Sequence, residues 1–280
     1  MSYAHPEVLV DTEWVSQNRS DGIRLVEVDY DPENGYKKGH IEGASLIWWS
    51  RDINDQLTRD IINKGQFEDL MSRHGIKNDS KVILYGDFNN WFAAFAFWVF
   101  KYYGHGDVRI MDGGRKKWEL EERTYTTDEP DTVSSSYSAG PPDEGLRAYL
   151  SDVSRALGRE DTVMVDVRSP AEFSGRVAAP PEYPTEHAQR AGHIPGASNI
   201  PWASAINDSD GTFKTADELR KNYAPKGITP DKDVICYCRI GERSSHSWFV
   251  LKYLLGYSRV RNYDGSWTEW GNMIGNPVEK

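Results

Sequence analysis

The sequence contains one pattern twice, and this internal repeat limits the possible folds more than any other feature. In the first half, LVEVDYDPENGYKKGHIEGASLIWW occupies residues 25–49. In the second half, VMVDVRSPAEFSGR begins at Val163 and AGHIPGASNIPW ends at Trp202. Each copy has an apolar run ending in an Asp (Asp29, Asp166), a loop, and the block Gly-His-Ile-x-Gly-Ala. Such self-similarity indicates two related structural units.

Two further blocks occur in both halves and in the same order. KVILYGDFNNWF, from Lys81, matches KDVICYCRIGERSS, from Lys232. VRIMDGGRKKW, from Val108, matches VRNYDGSWTEW, from Val260. A chain of 280 residues is long enough for two domains of ordinary size. We therefore predict two tandem copies of one domain.

The composition of the middle of the chain indicates where one copy ends. The segment TTDEPDTVSSSYSAGPPDEG is polar, rich in Ser and Pro, and has no apolar period, which is typical of a linker. We predict a first domain over residues 1–125, a linker over 126–145 and a second domain over 146–280. The second copy also carries an insertion, rich in Pro and Glu, at roughly residues 177–189.

Each half alternates short apolar runs with stretches of helical periodicity. This alternation predicts an α/β fold, in which a mainly parallel sheet is flanked by helices. Ligands of such sheets lie beyond the carboxyl ends of the strands. Residues 91–103, WFAAFAFWVFKYY, are apolar almost all round and predict a helix buried on most sides. Burial in the domain core and burial in both a core and a domain interface remain open.

Composition and charge exclude several classes of function. The net charge of -10 argues against a general binder of nucleic acid or anionic membranes, although a local basic pocket can bind a small anion. We expect no membrane span, because no run of about 18 apolar residues exists. The N-terminus lacks the pattern of a signal peptide. Cys236 and Cys238 are too close on one strand to form a disulfide or a metal site, so we expect a cytoplasmic protein.

The segment around Cys238 carries most of the chemical information. Residues 234–237 predict a buried strand that contains Cys236, and the spacing of apolar residues predicts a helix over 244–255. Cys238 therefore opens a loop, which we expect to be exposed, between a strand and a helix. Backbone N–H groups and the positive helix end stabilise an anion there, so we expect the pKa of Cys238 to fall. Arg239 and Arg243 add positive charge.

The segment Cys-Arg-Ile-Gly-Glu-Arg-Ser-Ser, from Cys238, resembles the active-site loop of the rhodanese family. Asp-Val-Arg-Ser-Pro-x-Glu-Phe from Asp166, Gly-His-Ile-Pro-Gly-Ala from Gly192 and Tyr-Asp-Gly-Ser-Trp-x-Glu-Trp from Tyr263 resemble its other blocks. The resemblance covers nearly the whole chain and is strongest to bacterial thiosulfate sulfurtransferases with a Cys-Arg-x-Gly-Glu-Arg loop. Gly86 aligns with Cys238, so the first copy is predicted to be catalytically inactive.

The resemblance implies a ping-pong reaction. The Cys238 thiolate attacks the outer sulfur of thiosulfate, sulfite leaves, and cyanide or a thiol acceptor then removes the sulfur from the persulfide. This nucleophilic catalysis needs no metal and no cofactor. Arg243 is the first candidate for binding the anionic donor, Arg239 the second, and Arg176 matches a substrate-binding position of the family. The remaining active-site loop residues are Ile240, Gly241, Glu242 and Ser244.

Several alternatives remain. The active-site loop of animal rhodaneses resembles Cys-Arg-Lys-Gly, and Ile240 occupies the position of that lysine. The missing lysine leaves 3-mercaptopyruvate open as the donor, although the arginines favour the doubly charged thiosulfate. The spacing Cys-x4-Arg makes the loop too short for a cysteine phosphatase, whose loop is Cys-x5-Arg. A non-catalytic sulfur-carrier or regulatory module is a further alternative. We expect a monomer or weak oligomer, structural roles for His40 and His193, and an exposed His246.

Overall fold

The computed structural model describes residues 2–19, 22–179 and 188–280, so most of the predicted insertion at 177–189 lies outside the described residues. The chain divides into two compact units. We call residues 7–143 with 207–213 the N-terminal unit, and residues 1–6, 144–206 and 214–280 the C-terminal unit. Within the described ranges, no helix is long and apolar enough to cross a membrane.

The bounds of the units differ from the predicted domain boundaries. Residues 126–143, which belong to the predicted linker, fall in the N-terminal unit, where the N–H of Thr126 donates to the carbonyl of His40 at 2.8 Å. Backbone hydrogen bonds of this kind leave no apolar period in the sequence. Residues 1–6 fall in the C-terminal unit, where the N–H of Ala4 donates to the carbonyl of Leu254 at 2.9 Å.

The N-terminal unit is built on a five-stranded parallel sheet with the strand order β1-β5-β4-β2-β3. The strands are β1 (Leu9–Val10), β2 (Arg24–Asp29), β3 (Ser45–Trp48), β4 (Val82–Tyr85) and β5 (Val108–Met111). The α-helices are α1 (Thr12–Asn18), α2 (Trp49–Asp52), α3 (Lys64–Arg73), α4 (Trp91–Tyr102) and α5 (Gly114–Leu120). All residues of α4 except Lys101 are buried, and α4 packs on the sheet, so its apolar surface forms core.

The C-terminal unit repeats this architecture with a four-stranded parallel sheet in the order β7-β6-β8-β9. The strands are β6 (Thr162–Asp166), β7 (Ser198–Asn199), β8 (Asp233–Tyr237) and β9 (Val260–Asn262). The α-helices are α6 (Leu150–Ala156), α7 (Pro170–Phe173), α8 (Ala216–Tyr223), α9 (Glu242–Phe249) and α10 (Ser266–Asn272), and a π-helical turn (Val250–Leu254) extends α9. Two parallel sheets flanked by helices confirm the predicted α/β fold.

Strand register shows which positions of the two copies are equivalent. Glu27 pairs with Tyr85, and Asp166 pairs with Tyr237, and these tyrosines end the matching runs VILY and VICY. Glu27 is therefore the counterpart of Asp166, and the expected match of Asp29 with Asp166 is wrong by two residues. An apolar run followed by an acid does not by itself set the register of a strand buried on both faces.

Candidate functional site

Cys238 lies at the carboxyl end of β8, where the chain turns into α9. Its N–H donates to Oγ of Ser266 at 3.1 Å. The turn needs glycine at Gly241, because φ there is 105° and a Cβ would lie 3.0 Å from the Cα of Asp264. The side chain of Cys238 has an exposed fraction of 0%, so the expectation of an exposed loop is wrong.

The sulfur of Cys238 contacts an N–H group and a carboxylate of its own loop and helix. The N–H of Gly241 donates to Sγ at 3.1 Å, and Sγ lies 3.3 Å from Oε2 of Glu242, to which the thiol donates. The hydroxyl of Ser244 donates to the carbonyl of Gly241 at 3.0 Å and so fixes the turn. Because α9 begins at Glu242, the N–H groups of its first turn and the positive helix end lie on the side of the sulfur.

Arg243 connects this loop to helix α7. Its two terminal nitrogens donate to the two carboxylate oxygens of Glu172 at 3.0 and 3.1 Å, and its Nε lies 3.5 Å from Oε1 of Glu242. All three side chains are buried. A bidentate buried pair of this type fixes the guanidinium in position, and it also neutralises most of its charge. Burial raises the pKa of Glu172, but Arg243 outweighs it and holds that pKa below its ordinary value.

The pKa of the Cys238 thiol is raised above its ordinary value. Burial is the main cause, and the negative charge of Glu242 adds to it. Arg243 and the N–H groups of Ser244 and Gly241 act in the opposite direction but do not prevail. The expectation that this pKa falls is therefore wrong. The N–H groups are present as expected, but burial removes the thiolate from water and so disfavours it. The guanidinium of Arg243 is paired with Glu172, which reduces its effect on the sulfur.

The other predicted site residues are not all close to the sulfur. Arg239 and Ile240 follow Cys238 directly and are both 3% exposed. The carbonyl of Arg239 accepts the N–H of Thr268 at 3.0 Å, which fixes the backbone of the loop. Arg176 is exposed, and its Nε donates to Oγ of Ser174 at 3.2 Å. Within the described ranges, no hydrogen bond joins Arg176 to the Cys238 loop.

Sequence reasoning assigned no role to two residues that hold the site together, Glu172 and Ser266. Glu172 belongs to a capping box, in which its Oε2 accepts the N–H of Ser169 at 3.0 Å. The spacing Ser-Pro-x-Glu is the sequence signal for that box, but it does not reveal the second partner, Arg243. Ser266 has a φ of 54°, in the left-handed region, and a serine in the sequence does not indicate this conformation.

Two further residues of this segment lie in the core. Cys236 lies in β8 with no exposed surface, as predicted, and burial raises the pKa of its thiol. His246 was expected to be exposed, but its side chain is completely buried in α9 and its ring lies edge-on to Trp202. Burial lowers the pKa of His246 to about 3. The buried surface of α9 therefore extends beyond the residues that the apolar spacing of the sequence places in the core.

The histidines of the repeated Gly-His-Ile block have matching packing in the two units. His40 stacks on Tyr36 with ring centroids 3.7 Å apart, and His193 stacks on Phe173 at 3.6 Å. In each case Nδ1 also lies within hydrogen-bonding distance of the carbonyl of the same aromatic residue. Equal packing in a unit with the cysteine and a unit without it supports a structural role. In the described part of the chain, no group of three or more His, Cys, Asp or Glu residues could hold a metal ion.

The corresponding loop of the N-terminal unit follows β4 and contains Gly86 instead of a cysteine. The N–H of Gly86 donates to Oδ1 of Asn90 at 3.1 Å, and Nδ2 of Asn90 donates to the carbonyl of Met111 at 2.8 Å. Phe88, Asn89 and Asn90 have φ values of 45°, 54° and 65°, in the left-handed region. This loop therefore has a different conformation from the loop at Cys238 and offers no thiol.

Comparison with known proteins adds the family context. The family model "Rhodanese-like domain" matches residues 11–121 and 150–273. A protein of Thermus thermophilus named "Sulfur carrier protein TtuD" is 56% identical over 100% of this chain and 99% of its own length. A protein of Saccharopolyspora erythraea named "Putative thiosulfate sulfurtransferase" is 53% identical over 98% of this chain and 96% of its own length.

Solved structures extend the comparison. A variant of EanB that carries a cysteine persulfide, in a tetrahedral intermediate state with ergothioneine, superposes with a TM-score of 0.88. The match has 25% sequence identity and covers 99% of this chain and 71% of that chain. The fold of that protein therefore matches this chain along nearly the full length of the chain.

Proposed function

The chain belongs to the rhodanese family, and on that premise we propose that it moves the outer sulfur of thiosulfate to cyanide or a thiol through a persulfide on Cys238. Relatives named putative thiosulfate sulfurtransferase support a sulfurtransferase. The observation that carries the proposal is the position of Sγ, which accepts the N–H of Gly241 at the beginning of α9. A negatively charged outer sulfur of a persulfide would find further N–H groups in the same turn.

The reaction takes place in two steps. In the first, the thiolate of Cys238 forms a bond to the outer sulfur of thiosulfate, the sulfur–sulfur bond of thiosulfate breaks, and sulfite leaves. In the second, the acceptor attacks the outer sulfur of the persulfide, and the thiolate of Cys238 leaves. A free thiol at Cys238 is compatible with the reducing cytoplasm, and we propose a monomer or weak oligomer there.

Arg243, Arg239 and Arg176 are the arginines proposed to serve the anionic donor, Arg239 and Arg176 by direct contact. The pair with Glu172 engages both terminal nitrogens of Arg243, so we assign Arg243 mainly to the shape and field of the loop. Arg239 is buried directly after Cys238. Arg176 is exposed, so it would contact a donor from the protein surface. Arg239→Ala is expected to raise the apparent KM for thiosulfate by about tenfold, the effect of one lost charge-assisted contact.

A second candidate function is sulfur carriage to a protein acceptor. The observation that favours it is the name of the Thermus thermophilus relative, which describes a sulfur carrier. The persulfide on Cys238 would be the same, and the difference would lie in the second step. A carrier would form the persulfide rapidly, would turn over slowly with cyanide, and would release its sulfur to a protein thiol.

Turnover assays with thiosulfate and 3-mercaptopyruvate, each with cyanide as acceptor, test the proposal. We expect thiosulfate to have the higher kcat/KM, Cys238→Ser to have no activity, and the matched control Cys236→Ser to keep activity when it is folded. Single-turnover release of sulfite without steady-state turnover would favour the carrier. A mercaptopyruvate kcat/KM at least about tenfold higher would identify a different donor, by a transition-state preference of roughly 1.4 kcal/mol.

A further inference from the structure

Three polar side chains form a buried hydrogen-bond network next to the loop at Cys238. They belong to Ser244 and Ser245 on α9 and to Asn262 at the end of β9, and none of them has exposed surface. Oδ1 of Asn262 accepts the hydroxyl of Ser244 at 2.7 Å, and Nδ2 of Asn262 donates to Oγ of Ser245 at 2.9 Å. A buried polar network makes its surroundings rigid when its members are hydrogen-bonded, as they are here.

The N-terminal unit has apolar side chains at the same three positions. Strand register and the matching runs VRIM and VRNY place Ile110 at the position of Asn262. Phe92 and Ala93 align with the two serines of α9. All three apolar residues are buried, so the fold itself needs no polar network here. The network therefore accompanies the unit that contains the cysteine.

The hydrogen bonds of the network have a direction, which ends at the carbonyl of Gly241. An amide N–H can only donate, so the hydroxyl of Ser245, which accepts it, keeps its own proton for another acceptor. That acceptor is the carbonyl oxygen of Gly241, 2.7 Å from Oγ of Ser245. The same oxygen accepts the N–H of Ser245 at 3.0 Å and lies 3.0 Å from Oγ of Ser244. A chain of donors thus runs from Asn262 through Ser245 to this carbonyl.

The position of this carbonyl also determines where the N–H of the same peptide bond points. The bond between Gly241 and Glu242 is planar and trans, so the N–H of Glu242 points opposite to the carbonyl. The carbonyl is directed along α9, and the N–H is therefore directed toward the beginning of the helix, where Sγ of Cys238 lies. Donors on a carbonyl also polarise its peptide group, which makes the N–H a stronger donor.

We propose that Asn262 is a positioning residue for the persulfide, an inference that rests on the proposed function. Through Ser245, it holds and polarises the peptide that presents the N–H of Glu242 to the negatively charged outer sulfur. Sγ of Cys238 already accepts the N–H of Gly241 before any sulfur is transferred. The N–H of Glu242 is a further donor for the outer sulfur, so the network favours the persulfide over the free cysteine.

The test measures the equilibrium between the two forms of the full chain in mixtures of thiosulfate and sulfite. Sulfite attacks the outer sulfur of the persulfide, the bond to Sγ breaks, and thiosulfate and the thiolate of Cys238 are formed again. Intact mass gives the fraction of protein that carries the extra sulfur at each ratio of thiosulfate to sulfite. Asn262→Leu and Ser245→Ala should raise the ratio for half-loading about three- to tenfold, the effect of weakening one hydrogen bond.

Asn262→Asp tests the direction of the chain, because it keeps the shape of the side chain but replaces a donor by an acceptor. The new carboxylate accepts the hydroxyl of Ser245, which then no longer donates to the carbonyl of Gly241. We expect a shift in the half-loading ratio at least as large as that of Asn262→Leu. A defect of packing alone would lower the fraction of folded protein and leave the half-loading ratio of the folded molecules unchanged.

The matched control is Asn54→Leu, which removes a buried amide of the N-terminal unit that donates to the carbonyl of Trp49 at 2.6 Å. It should lower stability and keep the half-loading ratio of the parent. Ser245→Ala is the smallest change and decides the outcome if the Asn262 variants do not fold. A folded Ser245→Ala protein with the parent's ratio overturns the inference and leaves the proposed function intact. If the parent takes up no sulfur at any ratio, the proposed function fails and the inference fails with it.

Discussion

The loops that follow β4 and β8 occupy the same place in two copies of one fold, but they differ in more than the nucleophile. In the C-terminal unit, Cys238 directs its sulfur toward an N–H and toward Oε2 of Glu242. In the N-terminal unit, Asn90 aligns with Glu242, and its amide oxygen accepts the N–H of Gly86. A Cβ on Gly86 would lie 2.3 Å from the carbonyl oxygen of Val28. The loop after β4 therefore has no room for a cysteine side chain at Gly86.

A second contrast concerns an arginine that pairs with a buried carboxylate in both units but comes from different places; Arg168 is buried and Arg115 is partly buried. Arg168, directly after β6, donates to Asp166 at 2.6 Å and to the carbonyl of the glycine in the Gly-His-Ile block at 2.7 Å. In the N-terminal unit Arg115, from α5, donates to Glu27 and to the carbonyl of the corresponding glycine. A buried carboxylate at this strand position needs a cation, and the fold permits two sources. This ion pair is thus present in both units, whereas the Arg243–Glu172 pair has no counterpart, because Trp91 aligns with Arg243.

The largest expected effect concerns the pair that distinguishes the C-terminal unit. Glu172→Ala should lower the free energy of unfolding by about 3–5 kcal/mol, because it leaves the buried charge of Arg243 without its partner. The measurement is chemical denaturation. The exposed change Glu160→Ala is the control and should have little effect. A loss of stability no larger than that of the control would show that the pair does not hold the loop.

The next effect tests whether the loop after β4 differs from the loop at Cys238 only by the missing cysteine. Gly86→Cys should destabilise the protein by about 1–3 kcal/mol, because its Cβ would overlap with the backbone of β2. In a Cys238→Ser background it should not restore sulfur uptake from thiosulfate. Denaturation and intact mass after thiosulfate treatment check the two parts. A stable variant that gains sulfur would show that conformation does not separate the two loops.

The pH dependence of stability should have opposite signs in the two units. Burial and the charge of Asp29 raise the pKa of Asp87 to about 8, so its folded form holds a proton that the unfolded chain releases. The contribution of Asp87 to the stability of the N-terminal unit should therefore be lost as pH rises from the ordinary Asp range toward about 8. The lowered pKa of Glu172 has the reverse effect, because its contribution is lost as pH falls below the ordinary carboxyl range.

Hydrogen exchange resolved by peptide, between pH 5 and pH 8, separates the two contributions. With intrinsic exchange rates corrected for pH, protection of β2 and β4 should decrease toward pH 8. Protection of α7 and α9 should not decrease over the same range. Equal changes in both sets of peptides would contradict the opposite signs.

The smallest expected effect concerns the N-terminal residues. Deletion of residues 2–5 removes hydrogen bonds from Ala4 to Leu254 and from His5 to the carbonyl of Tyr253 at 3.1 Å. It should destabilise the C-terminal unit by about 1 kcal/mol, the net contribution of one or two such bonds. Thermal denaturation of the truncated protein measures it. A decrease in the protection of β2 instead of α9 would assign these residues to the other unit.

The sequence predicted features that depend on local pattern. The repeat, the parallel sheets and the position of Cys238 between a strand and a helix follow from apolar periodicity and are present in the structure. Features that depend on packing between distant elements were not predictable. The burial of Cys238 and the direction of its pKa depend on how the loop packs, and the contact from Arg243 to Glu172 joins segments 71 residues apart along the chain. The register of β2 was wrong because neighbouring strands, not the strand itself, determine it.

We propose that only one of the two equivalent loops, the one after β8, carries sulfur, and that this sulfur is bound to Sγ of Cys238. The most direct measurement is intact mass spectrometry of the full chain after thiosulfate treatment, followed by peptide mapping without reductant. The account predicts the addition of one sulfur atom, located on the peptide that contains Cys238, and its loss when cyanide is added. It also predicts the same addition in Cys236→Ser and none in Cys238→Ser. Sulfur on Cys236, or sulfur uptake by Cys238→Ser, would contradict it.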